Sequence, residues 1–494
     1  MTTSSEMTIS SPTVADGQPA KQGSTVIASA MTLFGGQLAI KVVSFLFSVV
    51  VIRHLGGEQY GKYAVCVAFG SLFTVFSDLG LATLTVKRIA RDRSETASLF
   101  SNIFVLRLLL ALAVVITTSL AAWVIGYESE IRLGILIASL GLISYALHGS
   151  IDAVVMGQER FRFSALLAVA TQAVMLVLAS VLVFKGSGFL GLLAAATVSA
   201  AIVAIVAYFR LSGSTNLRAP VTPANWGRLI RSATPFAATT LALAVSYRAD
   251  AVILSGFASS KAIGEYAVAY GLVFTFVTLS HSINLALFPA MTRQQASDPI
   301  QARDLFRRGF TYLLFVSLPV AVVVSLMARD IITLLYGDNL SGAARPLVLL
   351  IWAVPLMYVS EFLGYVAIVV DRERLVARAN WLAAGTNIAL NLALIPFLGV
   401  MAAAATAVMT EVVLVGQYVV ALRRTGVFEA PRDSIGRTSL AVIAPALVVL
   451  LLTALSIHVV FTGIATIVAY LAASRLTGII GPHELAVVRS YLRR

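Results

Sequence analysis

The 494 residues are 59% hydrophobic and only 12% charged, with a mean hydropathy of +0.91, which excludes a soluble globular chain, where about a quarter of residues are charged. The net charge of +13 does not point to nucleic acid, because no basic segment carries interleaved aromatics and most Lys and Arg sit in short connections between apolar runs. The one cysteine, Cys66, excludes an intrachain disulfide and a cysteine-based metal cluster.

Residues 1–26 open rich in Ser, Thr, Pro and Gly and lack the basic start and apolar core of a signal peptide, so they are expected to be a disordered cytoplasmic tail. Apolar runs long enough to cross a bilayer, which takes about 20 helical residues, follow near 27–53, 60–82, 98–125, 133–156, 163–185, 188–209, 233–256, 263–288, 310–333, 346–370, 376–397, 400–421, 438–457 and 459–478. The expected fold is therefore all-α integral membrane, with about 14 transmembrane helices. The first run holds an oddity. Gln37, Lys41, Ser44 and Ser48 share one helix face, and a Lys at bilayer depth costs about 2.5–3.5 kcal/mol. That stripe is expected to face a polar interior rather than lipid.

The connections alternate in charge. Those after even-numbered runs carry clusters such as Lys87, Arg88, Arg91 and Arg93, or Arg372, Arg374 and Arg378, or Arg423, Arg424, Arg432 and Arg437. The opposite connections, such as 126–132, 185–188 and 397–400, are short and poor in Lys and Arg. The positive-inside rule then predicts a multi-pass protein with both termini cytoplasmic, with Arg53 and Arg329 as exceptions at the outer ends of their spans. No connection is long enough to fold as a domain.

An internal repeat organises the rest. Gly61-Lys62-Tyr63-Ala64-Val65 recurs as Gly264-Glu265-Tyr266-Ala267-Val268, and Leu99-Phe100 with Phe104 recurs as Leu305-Phe306 with Phe310. The stretch from Ala153 to Phe161 recurs from Ala367 to Leu375, with Glu159-Arg160 aligned on Glu373-Arg374, and Ala194 to Thr197 recurs at Ala403 to Thr406. Four matches in one order, at offsets of roughly 203 to 214, predict two six-helix lobes of like orientation, a common transporter plan. The expected division is an N-lobe at 27–210, a cytoplasmic linker at 211–232, a C-lobe at 233–425, a C-terminal helix pair at 426–480 and a basic cytoplasmic tail at 481–494.

Polar side chains inside the runs fall on faces. Ser71, Thr74 and Asp78 share one in the second run, and Tyr145, His148 and Asp152 share one in the fourth. Tyr358, Glu361 and Tyr365 repeat that spacing in the tenth. Arg107 lies in the third, Arg248 and Asp250 lie on different faces of the seventh, Asn387 and Asn391 line the eleventh, and Thr406, Thr410 and Gln417 line the twelfth. Ser and Thr stripes fit packing seams more readily than ligand sites, and the two asparagines fit interhelical glue as well as a site. Arg248 and Asp250 also fit structural pairs, His148 fits a satisfied buried group as well as a proton handler, and Asp78 and Arg53 fit anchors at span ends. Lys41 leads as a site candidate, a lone cation with no carboxylate in its own run. Asp78, His148, Asp152, Asp250 and Glu361 are the candidates for coupling to H+ or Na+. The sequence has no G-x-x-x-x-G-K-[ST], H-E-x-x-H or G-x-S-x-G motif, so an ATPase, zinc protease or serine hydrolase of those types is excluded. No catalytic residue, metal site or cofactor beyond a coupling ion is expected.

The motifs also resemble a known family. Arg53-His54-Leu55-Gly56 through Tyr60-Gly61-Lys62-Tyr63, Asp78-Leu79-Gly80-Leu81 with Arg88, and Gly157-Gln158-Glu159-Arg160-Phe161 are similar to signatures of polysaccharide-type, Wzx-like flippases of the multidrug/oligosaccharidyl-lipid/polysaccharide exporter superfamily. Arg248 with Asp250, Leu334-Leu335-Tyr336-Gly337, and Asn387, Asn391, Ile395 and Pro396 fit later ones, so the resemblance runs from about 27 to 480. It implies two six-helix lobes in a V with an appended pair, in a prokaryotic cytoplasmic membrane. The implied activity moves polyprenyl-diphosphate-linked oligosaccharide from the inner to the outer leaflet, with polysaccharide polymerase and other glycan-assembly proteins as partners alongside membrane lipids. Lys41, Arg248 and Arg107 would receive the diphosphate, Tyr145, Tyr358 and Tyr365 the sugars, with Gln37, Asn387 and Asn391 beside them, while lipid tails stay in the bilayer through a gap between the first and the seventh and eighth spans. Lipid II flippases of the same superfamily carry several arginines in the first two spans, which this chain lacks. A lipid II flippase, a cation-coupled drug antiporter and a non-transporting scaffold remain the alternatives.

Overall fold

The computed structural model describes residues 19–479 other than 425, 430 and 456, with side-chain environments from residue 41 onward except at 239. In hydrocarbon a helix satisfies its own backbone hydrogen bonds, and helices make up the described elements. In order they are α1 (Pro19–Asp78), α2 (Leu81–Arg91), α3 (Thr96–Val124), α4 (Ser129–Gly157), α5 (Phe161–Leu182), α6 (Gly188–Ser212), α7 (Trp226–Leu254), α8 (Ser260–Ser297) and α9 (Pro299–Leu326). There follow α10 (Ala328–Tyr336), α11 (Ala344–Leu350), α12 (Ala353–Val369), α13 (Glu373–Leu398), α14 (Val400–Arg424), α15 (Arg432–Ala441), α16 (Ile443–Ala454) and α17 (Val459–Leu476).

Ten described helical stretches are long and apolar enough to cross a membrane, or twelve if each of two bent pairs counts as one span, against the fourteen expected. Two of the ten each contain two of the expected runs. Lys41–Asp78 is broken at Gly56 (φ 72, ψ 175), and Phe161–Ser212 contains Gly186 and Gly188 at φ 88 and 55. Hydropathy counts apolar runs, whereas the chain bends through these glycines without leaving a long connection. The bent pairs are α7, which turns by 50°, and the stretch from Asp338 through α12, which turns by 46°.

Within the first half α4 is central, flanked by α3, α5 and α6, and an apolar cluster from Leu81 and Ile89 through Phe100, Ile151 and Leu211 to Ala233 fills that bundle. In the second half α12 packs on α8, α9 and α14, while α13 packs on α14 and α7. The main contacts between halves are made by α1 and α2 against α7, α8, α10 and the turn Asp338–Ala343. The last helices attach to α9: α15 and α16 pack on it, and the Tyr470 hydroxyl of α17 donates to the Phe315 carbonyl at 2.7 Å.

The repeated turn after α4 and α12 has one backbone path in both copies. Arg160 N donates to Val155 O and Arg372 N to Ala367 O, each across five residues, and Glu159 and Asp371 both have positive φ, at 62 and 58. The structural equivalence is therefore Glu159-Arg160 with Asp371-Arg372, two residues from the alignment on Glu373-Arg374. A run of Arg and Glu on both sides of the turn let the residue types match in the wrong register.

Candidate functional site between the two halves

The duplicated glycines sit where the halves cross. A Cβ on Gly61 would fall 1.7 Å from Ser260 O, and one on Gly264 would fall 1.9 Å from Gly57 O, so α1 and α8 touch backbone to backbone. Around the crossing, Leu340 and Lys261 lie over Gly57, the Arg53 guanidinium lies beside the Gly337 turn, and Glu265 lies against Gly342. The Tyr127 hydroxyl also bonds the Ser255 hydroxyl at the end of α7. That end of the interface is sealed. Lys62 adds a cluster there, 2.5 Å from Glu130 and within 4 Å of Glu58 and Glu128.

Beyond the crossing, two cavities adjoin. A 290 Å³ space is lined by Tyr60, Tyr63, Tyr247, Arg248 and Tyr270, and a 540 Å³ space between α1 and α8 by Lys41, Ser44, Ser48, Thr275, Thr278 and Ser282. Gly271 and Phe274 line both. Lys41 and Arg248, one from each half, thus open into neighbouring spaces, and the Lys41 stripe lines a crevice between α1 and α8. The Gln37 side chain lies outside the described residues. Asp250, two positions from Arg248, also lines the 290 Å³ space, but its side chain is buried and engaged: it accepts from the Tyr266 hydroxyl and, at 2.7 Å, from Ala251 N.

The other expected site residues are not brought to that cleft. Arg107 is 1% exposed inside the first half, with Nη2 3.0 Å from Asp78 Oδ1, Nη1 donating to Ser150 Oγ at 3.2 Å, and the Tyr145 ring centre 5.3 Å from its Cζ. Gly149 leaves it room, since a Cβ there would fall 2.8 Å from Nη2. Asp78 also accepts from Gly80 N at 3.1 Å and Ala82 N at 3.2 Å, which ties down the start of α2. His148 pairs with Thr171 at 3.2 Å, and Asp152 accepts from Ser164 at 2.5 Å, both between α4 and α5. Tyr358 is buried with its hydroxyl donating to Phe276 O at 2.7 Å, and Tyr365 packs its ring on Phe288 at 5.4 Å. Asn387 and Asn391 are buried; Asn391 donates to Asn387 Oδ1 at 2.9 Å within α13, and Asn387 donates to Thr410 Oγ1 of α14 at 3.3 Å, a bond between helices. Arg107, Tyr358, Asn387 and Asn391 were expected in a cavity because polarity inside a span is legible, whereas the helix that satisfies it is not.

Removing one partner of a buried ion pair strands the other charge, at a cost on the order of 3–5 kcal/mol. Asp78→Ala is therefore expected to lower thermal stability in detergent strongly, and Asp78→Asn less, because its amide oxygen still accepts hydrogen bonds. Equal melting of Asp78→Ala and the parent would mean that the pair is dispensable.

Glu361 behaves differently from the other acids. It accepts from Ser280 Oγ at 2.7 Å and lies 2.7 Å from His281 Nδ1, a histidine whose side chain is 63% exposed. A second acid, Glu411, is buried and accepts from Ser360 Oγ at 2.7 Å. Sequence reading passed over His281, Glu411 and the tyrosines around Arg248. Glu411 was visible as a lone acid beside Thr410, and Tyr60, Tyr63 and Tyr266 lay within motifs already singled out.

Known proteins match this architecture. A family model described as polysaccharide biosynthesis protein matches residues 26–295, more than half of the chain. The chain belongs to this family of polysaccharide biosynthesis proteins. A second model, MatE, matches residues 235–393 and overlaps the end of the first match. A curated relative, the probable flippase AglR of Haloferax volcanii, is 31% identical over 159 residues, which span 31% of this chain and 33% of that protein. Among solved structures, the lipid II flippase MurJ in an inward closed conformation aligns with a TM-score of 0.77 at 13% identity, covering 91% of this chain and 99% of MurJ. An inward-facing multidrug resistance MATE transporter aligns with a TM-score of 0.63 at 12% identity, over 78% of this chain and 95% of that one. At such identities these structures share the fold. This polysaccharide biosynthesis protein is a multi-pass membrane protein with the architecture of the exporter superfamily its motifs resemble.

Proposed function

We propose that the protein is a flippase carrying a polyprenyl-diphosphate-linked oligosaccharide from the cytoplasmic to the outer leaflet by alternating access between two lobes. One observation carries this reading: Lys41 and Arg248, from opposite halves, open into adjoining cavities between α1, α7 and α8. A diphosphate is anionic and its glycan strongly polar, so the unaided crossing is prohibitive. Arg presents a planar fork of donors and Lys a mobile point charge, and together they would replace the water around the diphosphate. Tyr60, Tyr63, Tyr247 and Tyr270 offer flat faces to sugar rings, and the crevice between α1 and α8 leaves a polyprenyl tail in the bilayer. In this reading both termini are cytoplasmic and the sealed crossing faces outward. The return step draws on H+ or Na+ through Glu361 and His281, and a polysaccharide polymerase receives the product.

Deleting the gene is expected to abolish surface glycan and leave the lipid-linked oligosaccharide on the cytoplasmic leaflet, read by its accessibility to an added glycosidase in right-side-out and inverted vesicles. Normal glycan with altered drug sensitivity would favour an antiporter. Transfer of lipid II by the purified protein in liposomes would favour a lipid II flippase, and no transfer of any lipid-linked sugar would leave a scaffold.

A further inference from the structure

A groove remote from the cleft is unexplained by transport. It lies between α13, α14 and the turn before α13, encloses about 1240 Å³, and is lined by Arg372, Arg374, Arg378 and Arg424. That exceeds the roughly 300–1,000 Å³ of ordinary small-molecule sites. None of its lining residues belongs to α1, α7 or α8.

Three features define what would fill it. First, among the described residues none of the four arginine side chains has an ion pair or a hydrogen bond to protein; Asp371 and Glu373 also line the groove, yet neither lies within 4.0 Å of an arginine nitrogen. Four guanidinium groups against two carboxylates leave a cationic surface with its donors unused. Second, the wall is apolar and exposed: Leu382 is 57% exposed and Val420 51%, and Leu375, Gly416 and Ala421 also line the groove. Third, Trp381, 45% exposed on α13 three residues from Arg378, is the kind of side chain that collects at the headgroup level. A soluble anion would use the arginines and leave the apolar wall uncovered. A zwitterionic lipid would use the wall and bring a choline or ethanolamine cation against the arginines.

We propose that this groove binds the phosphodiester headgroup of an anionic phospholipid, phosphatidylglycerol or cardiolipin in class, with an acyl chain along Leu382 and Val420. Arginine engages phosphate oxygens through paired N–H donors, and basic pockets between transmembrane helices recruit such headgroups. The site lies at the arginine-rich end of the bundle, on the outer surface of the second half, so it holds α13 and α14 to the leaflet without occupying the route between halves. It does not rest on the transport reading.

The test titrates the purified full-length protein with short-chain phosphatidylglycerol or phosphatidylcholine and counts bound lipid by native mass spectrometry. Phosphatidylglycerol is expected to bind at least about tenfold more tightly than phosphatidylcholine, and Arg378→Gln with Arg424→Gln to remove most of that preference. Arg303→Gln with Arg307→Gln, which lie outside the groove, should leave it intact. Should the groove variant melt early, Ala421→Trp, which fills the wall and keeps every charge, is expected to lower lipid binding in its place. Equal affinity for the two lipids, or unchanged binding in both groove variants, would overturn the proposal. So would equal displacement of the lipid by inorganic phosphate at matched concentration, which would make the groove a free-anion site. Absence of flipping by the parent protein, with phosphatidylglycerol still preferred, would count against the transport reading alone.

Discussion

Gly264→Ala is expected to keep the two halves from meeting at their sealed end and to abolish surface glycan while the protein remains folded in the membrane. The added Cβ would lie 1.9 Å from Gly57 O, and backbone cannot yield as a flexible side chain can. Overpacking commonly costs about 1–3 kcal/mol, and a clash with backbone belongs at or above that range. A penalty of about 3 kcal/mol borne by the sealed state alone shifts the balance against it by more than a hundredfold. Gly61→Ala should act likewise, since its Cβ would meet Ser260 O at 1.7 Å. The measurement is labelling of a Leu340→Cys reporter by a membrane-impermeant thiol reagent. Leu340 is fully buried over Gly57, and native Cys66 is buried too, so labelling should be slow in the parent and fast with Gly264→Ala. Gly385→Ala is the control, because nothing lies within 4 Å of its added Cβ. Unchanged labelling and normal glycan in Gly264→Ala would show that the crossing is not a moving contact.

The second large effect is on the cations. Lys41→Ala and Arg248→Ala are each expected to cut transport roughly ten- to a hundredfold, the range for losing one hydrogen-bonded charge worth about 1.5–3 kcal/mol. Melting temperature and membrane abundance should stay near the parent, because both residues are exposed to the cavities and neither forms an ion pair among the described residues. If both hold one diphosphate, the double variant should lose less than the product of the single losses, since the second deletion removes a partner already impaired. Arg248→Lys should keep part of the rate by retaining charge without the planar fork. Arg107→Ala separates the alternatives: it should impair glycan through instability, with early melting, because its guanidinium is buried against Asp78. Normal transport in Lys41→Ala or Arg248→Ala would remove that residue from the site.

These expectations divide along what a linear chain can display. The Lys41 stripe was legible because a helix puts residues three and four apart on one face, and the structure lines a crevice with Lys41, Ser44 and Ser48. The repeated Gly-x-Tyr-Ala-Val was legible as a repeat, though nothing in it announced that Gly61 and Gly264 touch opposing backbones across the interface. Arg107 and Lys41 look alike in sequence, each a cation in an apolar run. One is spent on Asp78 and Ser150 and the other faces a cavity. The turn register at Glu159 and Asp371 was misread by two residues because composition there is repetitive, whereas a hydrogen bond across five residues has a single register.

By itself the sequence determined the class of molecule, its apolar helical runs and the cations worth testing, because hydrophobicity, charge and helical period are properties of neighbours along the chain. The tertiary structure alone decided which polar groups satisfy one another and which remain open. Burial and pairing depend on residues brought together from far along the chain, as at Gly61 and Gly264 or at Arg53 and Gly337, and no local pattern carries such distances.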